Sequence, residues 1–420
     1  MKKLFLLLIL IYPIIGFSQP AGTITDESEV PSYVLPDILK SLKGEKIINA
    51  EQWEKVRRPE ILKIFQDQIY GNVPGELKIS EIIFHEEGSE ALNGLAIRKQ
   101  VDLVFRKGKH KLSVGVLIYL PHVSDPVPVF LGCNFIGNHA CSEDSQIRIS
   151  DSWAPNHSID GIFNNTLTEQ SRGAASDQWP IESIIKNGFG VVTYYSGDVD
   201  PDKHDFTDGI HPFFYKRGQT EPASDEWGTI AAWAWGLSRV LDYLEQDKRI
   251  DAGKVIVFGH SRMGKAATWA AASDRRFAAC ISNNSGCMGA ALSRRKFGET
   301  VSAINKSFPH WFCENFKQYD DKEENLPIDQ HMLLALIAPR PLYVASATED
   351  LWADPKGEYL SAWHAGDVYK LYGLKGLTKD EMPAPDTPVS GVVSYHLRTG
   401  RHDMISYDWE QYFVFAKSIK

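Results

Sequence analysis

The stretch V-I-V-F-G-H-S-R-M-G-K-A-A, residues 255–267, decides how this chain is read. Residues 254–258 are β-rich and, after Lys254, apolar, Gly259 and His260 end that run, and residues 262–272 are small and helix-forming. Ser261 stands between them. A strand, a sharp turn carrying a serine and a helix together describe a nucleophile elbow. Such a turn strains the serine backbone and lifts the hydroxyl clear of the sheet, where a base can reach it. The usual pattern is G-x-S-x-G. Here Met263 occupies the second glycine's place and Gly264 comes one residue later. The alternative reading is a serine that merely caps a helix.

Around this stretch, apolar runs alternate with helical ones: 189–195, 226–244, 254–258, 263–272, 278–282, 330–337, 342–346, 362–372 and 392–396. Short continuous apolar strands separated by helices predict a mainly parallel central sheet with helices on both faces, a three-layer α/β sandwich. Upstream, residues 51–70 carry helical spacing at Trp53, Val56, Ile61, Ile64, Phe65 and Ile69, and Gly71 ends it. Strands are expected at 77–85 and 96–105, and 111–119 with 127–131 read as a hairpin-related pair. Residues 19–50 are polar and proline-dotted, an extended lead-in to a single domain spanning 19–420.

Residues 1–18 read as a secretory signal peptide: a basic Lys2-Lys3, an apolar stretch over 4–16, and Gly16 and Ser18 before a cleavage point at Gln19. Export to the periplasm or medium is expected. Pro13 interrupts the run, which is short for a membrane anchor. The net charge of −9 and pI of about 5.8 speak against nucleic-acid binding. The five cysteines, Cys133, Cys141, Cys280, Cys287 and Cys313, are odd in number and show no zinc-ligand spacing. They read chiefly as small buried side chains.

In a parallel sheet the active groups gather at the strand carboxyl ends. After 342–346 comes T-E-D-L-W-A-D-P, and after 392–396 comes L-R-T-G-R-H-D-M. The order serine, acid, histidine is that of the α/β-hydrolase fold. A serine hydroxyl needs an imidazole to take its proton, and the imidazole needs a carboxylate to fix its tautomer. His402, in a glycine-containing loop, is the preferred base over His396, which sits in the strand pattern. Asp350 is the preferred acid, with Glu349 as alternative; Asp354 suits the cap of a helix starting at Pro355.

Further motifs accompany the elbow G-H-S-R-M-G-K: S-N-N-S-G, R-R-K-F-G-E, F-P-H-W-F, E-D-L-W-A-D-P-K-G-E, G-x-H-D, N-F-I-G-N-H at 134–139 and Y-Y-S-G-D-V-D-P-D at 194–202. From about residue 50 onward the chain resembles the bacterial glucuronoyl esterases, carbohydrate esterase family fifteen. The family tolerates a non-glycine where Met263 sits. The resemblance implies hydrolysis of (4-O-methyl-)glucuronic acid esters, such as those joining xylan to lignin, without a cofactor. It implies Ser261 as nucleophile, His402 as base, Arg262 at the oxyanion, and Lys265, Glu299 and Trp352 around the uronic-acid ring. Many members place a glutamate after the strand that follows the nucleophile helix. Asn284 stands there in this chain, so the acid should come from the later loop, in agreement with Asp350.

The residue types fit these roles. Arg262 follows the nucleophile, so its N–H can enter an oxyanion hole; a surface ion pair is its other reading. Lys265 lies one helical turn from Ser261 on the same face. Glu299 either serves the sugar or neutralises Arg294-Arg295-Lys296. Trp352 offers a flat apolar face to a pyranose, or packs in the core. Residues 134–139 fit either a second oxyanion donor or a structural turn. A calcium site from Asp198, Asp200, Asp202 and Asp205 lacks the EF-hand spacing and is not adopted, so no metal is expected. Trp227, Trp233 and Trp235 read as core. The expected partner is a glucuronate-bearing polysaccharide ester, with neither nucleic acid nor membrane, and the expected state is a monomer. An acetyl xylan esterase and a catalytically silent carbohydrate-binding relative are the competing functions.

Overall fold

Alternate residues of the central strands are buried on opposite sides of one sheet. The computed structural model of the protein describes residues 22–419, so the expected signal peptide lies outside the described residues. Its strands are β1 (Glu81–Ala91), β2 (Ala96–Lys107), β3 (His110–Pro121), β4 (Val127–Asn134), β5 (Gly190–Tyr195), β6 (Ile250–His260), β7 (Ala279–Asn283), β8 (Leu342–Ala347) and β9 (Val393–Arg398). Val129 and Leu131 of β4, Val255 and Val257 of β6, and Leu342 and Val344 of β8 enter one apolar cluster. Their neighbours Phe130, Ile256, Phe258, Tyr343 and Ala345 enter a second. Helices Thr229–Leu244, Arg262–Ser273, Gln330–Ala335 and Pro355–Leu371 cover the first face. Helices Ile181–Lys186 and Ser406–Lys417 cover the other. With both faces buried, a strand gains nothing from polar alternation, which is why these runs look continuously apolar.

The strand order is β1-β2-β3-β5-β4-β6-β7-β8-β9. From β5 to β9 every pairing is parallel. β1, β2, β3 and β5 pair antiparallel. The three-layer α/β-hydrolase architecture is therefore as expected, and the sheet is mainly parallel. One pairing is corrected. β3 and β4 do not neighbour each other, because β5 inserts between them and binds both. The chain from 127 to 195 crosses over before β5 returns, a long-range choice that no local turn signal encodes.

The strand before the serine also runs further than the glycine suggested. Gly259 and His260 continue the ladder opposite Ser282 and Asn283 of β7. The break falls at Ser261 itself. Trp227, Trp233 and Trp235 are buried in the first cluster, as expected. Asn49 caps the helical segment that begins at Ala50, its Oδ1 accepting from the Gln52 N–H at 2.9 Å, and Gly71 closes it with φ +83°. Among the described residues no helix is long and apolar enough to cross a membrane.

Candidate active site

Ser261 has φ +56° and ψ −130°, a backbone state that a residue with a Cβ adopts only under constraint. Three hydrogen bonds supply that constraint. Its N–H donates to the Asn283 carbonyl (2.9 Å), and its carbonyl accepts from Gly264 (2.9 Å) and Lys265 (3.2 Å). It sits where a helix cap would, but its hydroxyl makes no capping bond. That removes the bland reading of this serine. The departure from G-x-S-x-G also gains a physical account. A Cβ on Gly259 would lie 2.2 Å from the Met263 carbonyl oxygen, and one on Gly264 would lie 2.9 Å from the Ser285 Cβ. Close approach is thus needed at 259 and 264. The Met263 side chain points into the core, its Sδ 3.3 Å from the Cys133 Sγ.

Ser261 opens into a cavity of about 660 Å³. Arg262, Lys265, Glu299, Asp350, Trp352 and His402 line the same cavity. All seven residues singled out from the sequence therefore share one space, of a size ordinary for a small-molecule site. β8 and β9 are parallel neighbours whose register pairs Ala347 with Arg398. The loops leaving them run side by side, tied by Thr348 N–H to the Arg398 carbonyl (2.9 Å) and Glu349 N–H to the Gly400 carbonyl (2.8 Å). This brings Asp350 Oδ2 to 2.6 Å from His402 Nδ1. A carboxylate only accepts, so Nδ1 carries the proton and Nε2 is left for another partner. Asp350 is buried, whereas the His402 side chain is 43% exposed. On its other side His402 packs against His260, ring centroids 4.5 Å apart. Burial, and then the neighbouring His402, push His260 well below the ordinary histidine range, and Asn283 Oδ1 lies 2.6 Å from its Nδ1. A neutral imidazole therefore backs His402.

The two cations of the cavity each face a carboxylate. Lys265 Nζ donates to the Ser285 carbonyl at 2.7 Å and lies 3.6 Å from Glu299 Oε2. Glu299 does not serve the basic run before it, since Arg294 pairs with Asp329, Arg295 with Asp354 and Glu27, and Lys296 with Glu323 and Glu324. Burial raises the Glu299 carboxyl, with Lys265 and the Trp352 side chain opposing. Arg262 lies 3.0 Å from Asp202 Oδ2, with its guanidinium 4.8 Å from the Phe135 ring centroid. Phe308 and Trp311 stack at 3.7 Å, nearly parallel, and form an apolar wall of the cavity.

The family described as glucuronyl esterase, fungi, matches residues 174–373. A carbohydrate esterase of an unknown prokaryotic organism is 51% identical over 403 residues, covering 95% of this chain and 93% of that protein. A solved structure described as a promiscuous esterase of carbohydrate esterase family fifteen, from a marine bacterial metagenome, superposes with a TM-score of 0.89 at 50% identity. It covers 95% of this chain and 100% of its own. A glucuronoyl esterase from Solibacter usitatus gives 0.87 at 44% identity, over 93% and 99%. The chain belongs to carbohydrate esterase family fifteen, the glucuronoyl esterases.

Within this glucuronoyl esterase family member, the competing residues separate cleanly. His396 is fully buried, held by Asp408 at 2.8 Å and Tyr343 at 2.9 Å. Glu349 points outward to Arg401 at 3.4 Å. Asp354 accepts from the Gly357 N–H and from Arg295, as a helix cap does. Asn284 lines the cavity, yet its amide bonds the Asp403 carbonyl at 3.3 Å and it carries no charge. In the 134–139 segment Asn134 accepts from Gly137 and donates to Asn138 and Thr193, and none of these residues lines the cavity. That segment folds as a turn held by its own hydrogen bonds, with Phe135 against the Arg262 guanidinium. The aspartates at 198, 200, 202 and 205 bind different partners: Ser150 with Ser152, Thr229, Arg262 with His310, and Thr207 with Lys203. Among the described residues no cluster suits a metal.

Sequence reasoning missed His260, Asp202, the Phe308–Trp311 wall and Glu358. Glu358 is fully buried behind the cavity, accepting from the Gly286 N–H at 2.9 Å and from Ser346 Oγ at 2.6 Å. Its only signal was its place in the 349–358 motif. Phe308, His310 and Trp311 were equally visible as F-P-H-W-F, but nothing local links that motif to Asp202, over a hundred residues away.

Proposed function

We propose that the protein hydrolyses esters of (4-O-methyl-)D-glucuronic acid, such as those linking glucuronoxylan to lignin, by a Ser261–His402–Asp350 triad. Ser261 Oγ attacks the ester carbonyl and passes its proton to His402 Nε2. Asp350 holds the imidazole tautomer and offsets the charge it gains. The Arg262 N–H and guanidinium stabilise the tetrahedral oxygen. The alcohol leaves with the proton from His402, and water, activated by the same imidazole, hydrolyses the glucuronoyl-enzyme. Lys265, Glu299 and Trp352 hold the sugar ring. No cofactor enters these steps. Residues 1–18 direct export, and the mature chain acts as a monomer.

The observation that carries this reading is the His402–Asp350 contact at 2.6 Å in a cavity shared with a strained serine and a buried Lys265–Glu299 pair. A generic lipid esterase has no use for paired polar groups at that depth, whereas sugar hydroxyls can both donate to Glu299 and accept from Lys265. The relatives named for methyl esters of 4-O-methyl-glucuronate favour the same substrate class. Purified enzyme should release alcohol from methyl and benzyl glucuronate, and Ser261→Ala should abolish the release. One relative is described as promiscuous, so acetylated xylan belongs in the same panel. Turnover of the acetyl substrate alone would overturn the uronate assignment.

A further inference from the structure

Asp202 lies outside the cavity, yet it touches two of the side chains that shape it. Its Oδ1 accepts from Trp311 Nε1 at 2.8 Å and stands 2.8 Å from His310 Nε2. Its Oδ2 faces Arg262 Nε at 3.0 Å. That last contact is not aligned as a hydrogen bond, so it is an ion pair that leaves Arg262 Nε without a hydrogen-bond partner. Burial acts to raise the Asp202 carboxyl, but Arg262 and the hydrogen bonds from His310 and Trp311 outweigh it and keep it ionised. The residues it grips are themselves anchored. The Thr229 and Ile230 N–H groups donate to the carbonyls of His310 and Trp311, which fixes this segment on the start of helix Thr229–Leu244.

The cavity has two cations, and they are balanced differently. Glu299 lies within the cavity beside Lys265, where it can also meet a ligand. Asp202 acts only from behind Arg262. An ester of glucuronic acid is neutral at its carboxyl carbon, while the product carries an anion at the same place. An unbalanced arginine beside that carbon would hold the product.

The geometry points to Asp202 as a positioning residue: one partly buried carboxylate aims Arg262, fixes the Trp311 wall and balances the arginine's charge, so that the cleft takes a neutral ester and releases the acid. This inference rests on the esterase reading above. Asp202→Asn keeps size and an acceptor for Trp311 but removes the charge. It should lower kcat by about 10- to 100-fold, the usual cost of a misplaced group, with KM changed by less than about threefold. Inhibition by free glucuronate should tighten by about tenfold, the worth of one charge-assisted contact. Combined with Arg262→Met, it should slow the enzyme no further than Arg262→Met alone, because both act through one group.

Asp202→Glu keeps the charge and moves it. It should lose kcat without gaining affinity for glucuronate, and it decides the matter if the asparagine variant does not fold. Multiplicative losses in the double variant, or wild-type kcat in both single variants, overturn the inference and leave the esterase reading standing. If the wild-type enzyme turns over no uronate ester, the esterase reading falls and this inference falls with it.

Discussion

The loops that leave β4 and β9 are both strand-end loops with a glycine and a histidine, and they behave in opposite ways. After β4, Asn134 spends its amide on Gly137 and Asn138 of the turn and on Thr193 of β5, and His139 is fully buried with Nε2 2.7 Å from Ser171 Oγ. Burial, and then Arg172, push His139 down to about 4, so it stays neutral. After β9, His402 has Asp350 as its one hydrogen-bond partner among the described residues, and its side chain is less than half exposed. Position at a strand end is therefore not what makes a group available for chemistry. What matters is whether folding leaves the group open to an incoming partner: His139 is sealed inside the fold, whereas His402 faces the cavity.

The largest effect that can break this contrast lies on the β9 side. Asp350→Asn should lower kcat on benzyl glucuronate by about 10³- to 10⁴-fold, because the amide presents the wrong face to His402, with little change in Tm. A loss below tenfold would remove Asp350 from the triad. On the β4 side the expectation reverses. Asn134→Ala should destabilise the protein by about 1–3 kcal/mol in urea denaturation, since it strands buried partners, and leave kcat within about threefold. A collapse of kcat at unchanged stability would show that the turn serves the reaction.

A subtler test concerns what holds the turn at 285–286 beside the cavity. Burial raises Glu358 to about 8, against the donors Ser346 and Gly286. Its folded-state value exceeds the unfolded one, so the folded chain keeps a proton that the unfolded chain gives up. The resulting stabilisation is complete below about pH 4.5 and is lost as pH rises to about 8, at about 1.4 kcal/mol per pH unit. Glu358→Gln should abolish that slope relative to wild type. Parallel stability curves between pH 5 and 8 would refute it. The smallest effect is assigned to Glu349→Gln, within about twofold in kcat, since this exposed carboxylate reaches only Arg401. A larger fall than that of Asp350→Asn would move the acid role to Glu349.

The strands around the elbow were legible because a strand buried on both faces must be apolar along its length, and each such run stands out against its flanks. β8 was expected at 342–346 and spans Leu342–Ala347. The candidate acid and base stood out because a polar loop directly after a buried strand has few structural reasons to hold both a carboxylate and a histidine. The adjacency of those loops was not legible, since strand order is a contest among distant pairings. The same limit hid β5 between β3 and β4. It also concealed that Glu299 turns away from Arg294, Arg295 and Lys296, its neighbours in sequence, to meet a lysine on the helix that follows Ser261. Asp202 was weighed only as a possible calcium ligand, because its true partners come from Arg262 and the 310–311 segment.

All five cysteines are buried and unbridged. Burial raises every one of their thiols, Cys133, Cys280 and Cys313 to about 12 and Cys141 and Cys287 well above the ordinary thiol range. Thiolate, the reactive form, is therefore scarce at each of them. The native structure bears no covalent record of the compartment in which it formed. The chain without residues 1–18 should reach the same thiol state whether produced in a reducing or an oxidising compartment, which thiol counting under denaturing conditions would check.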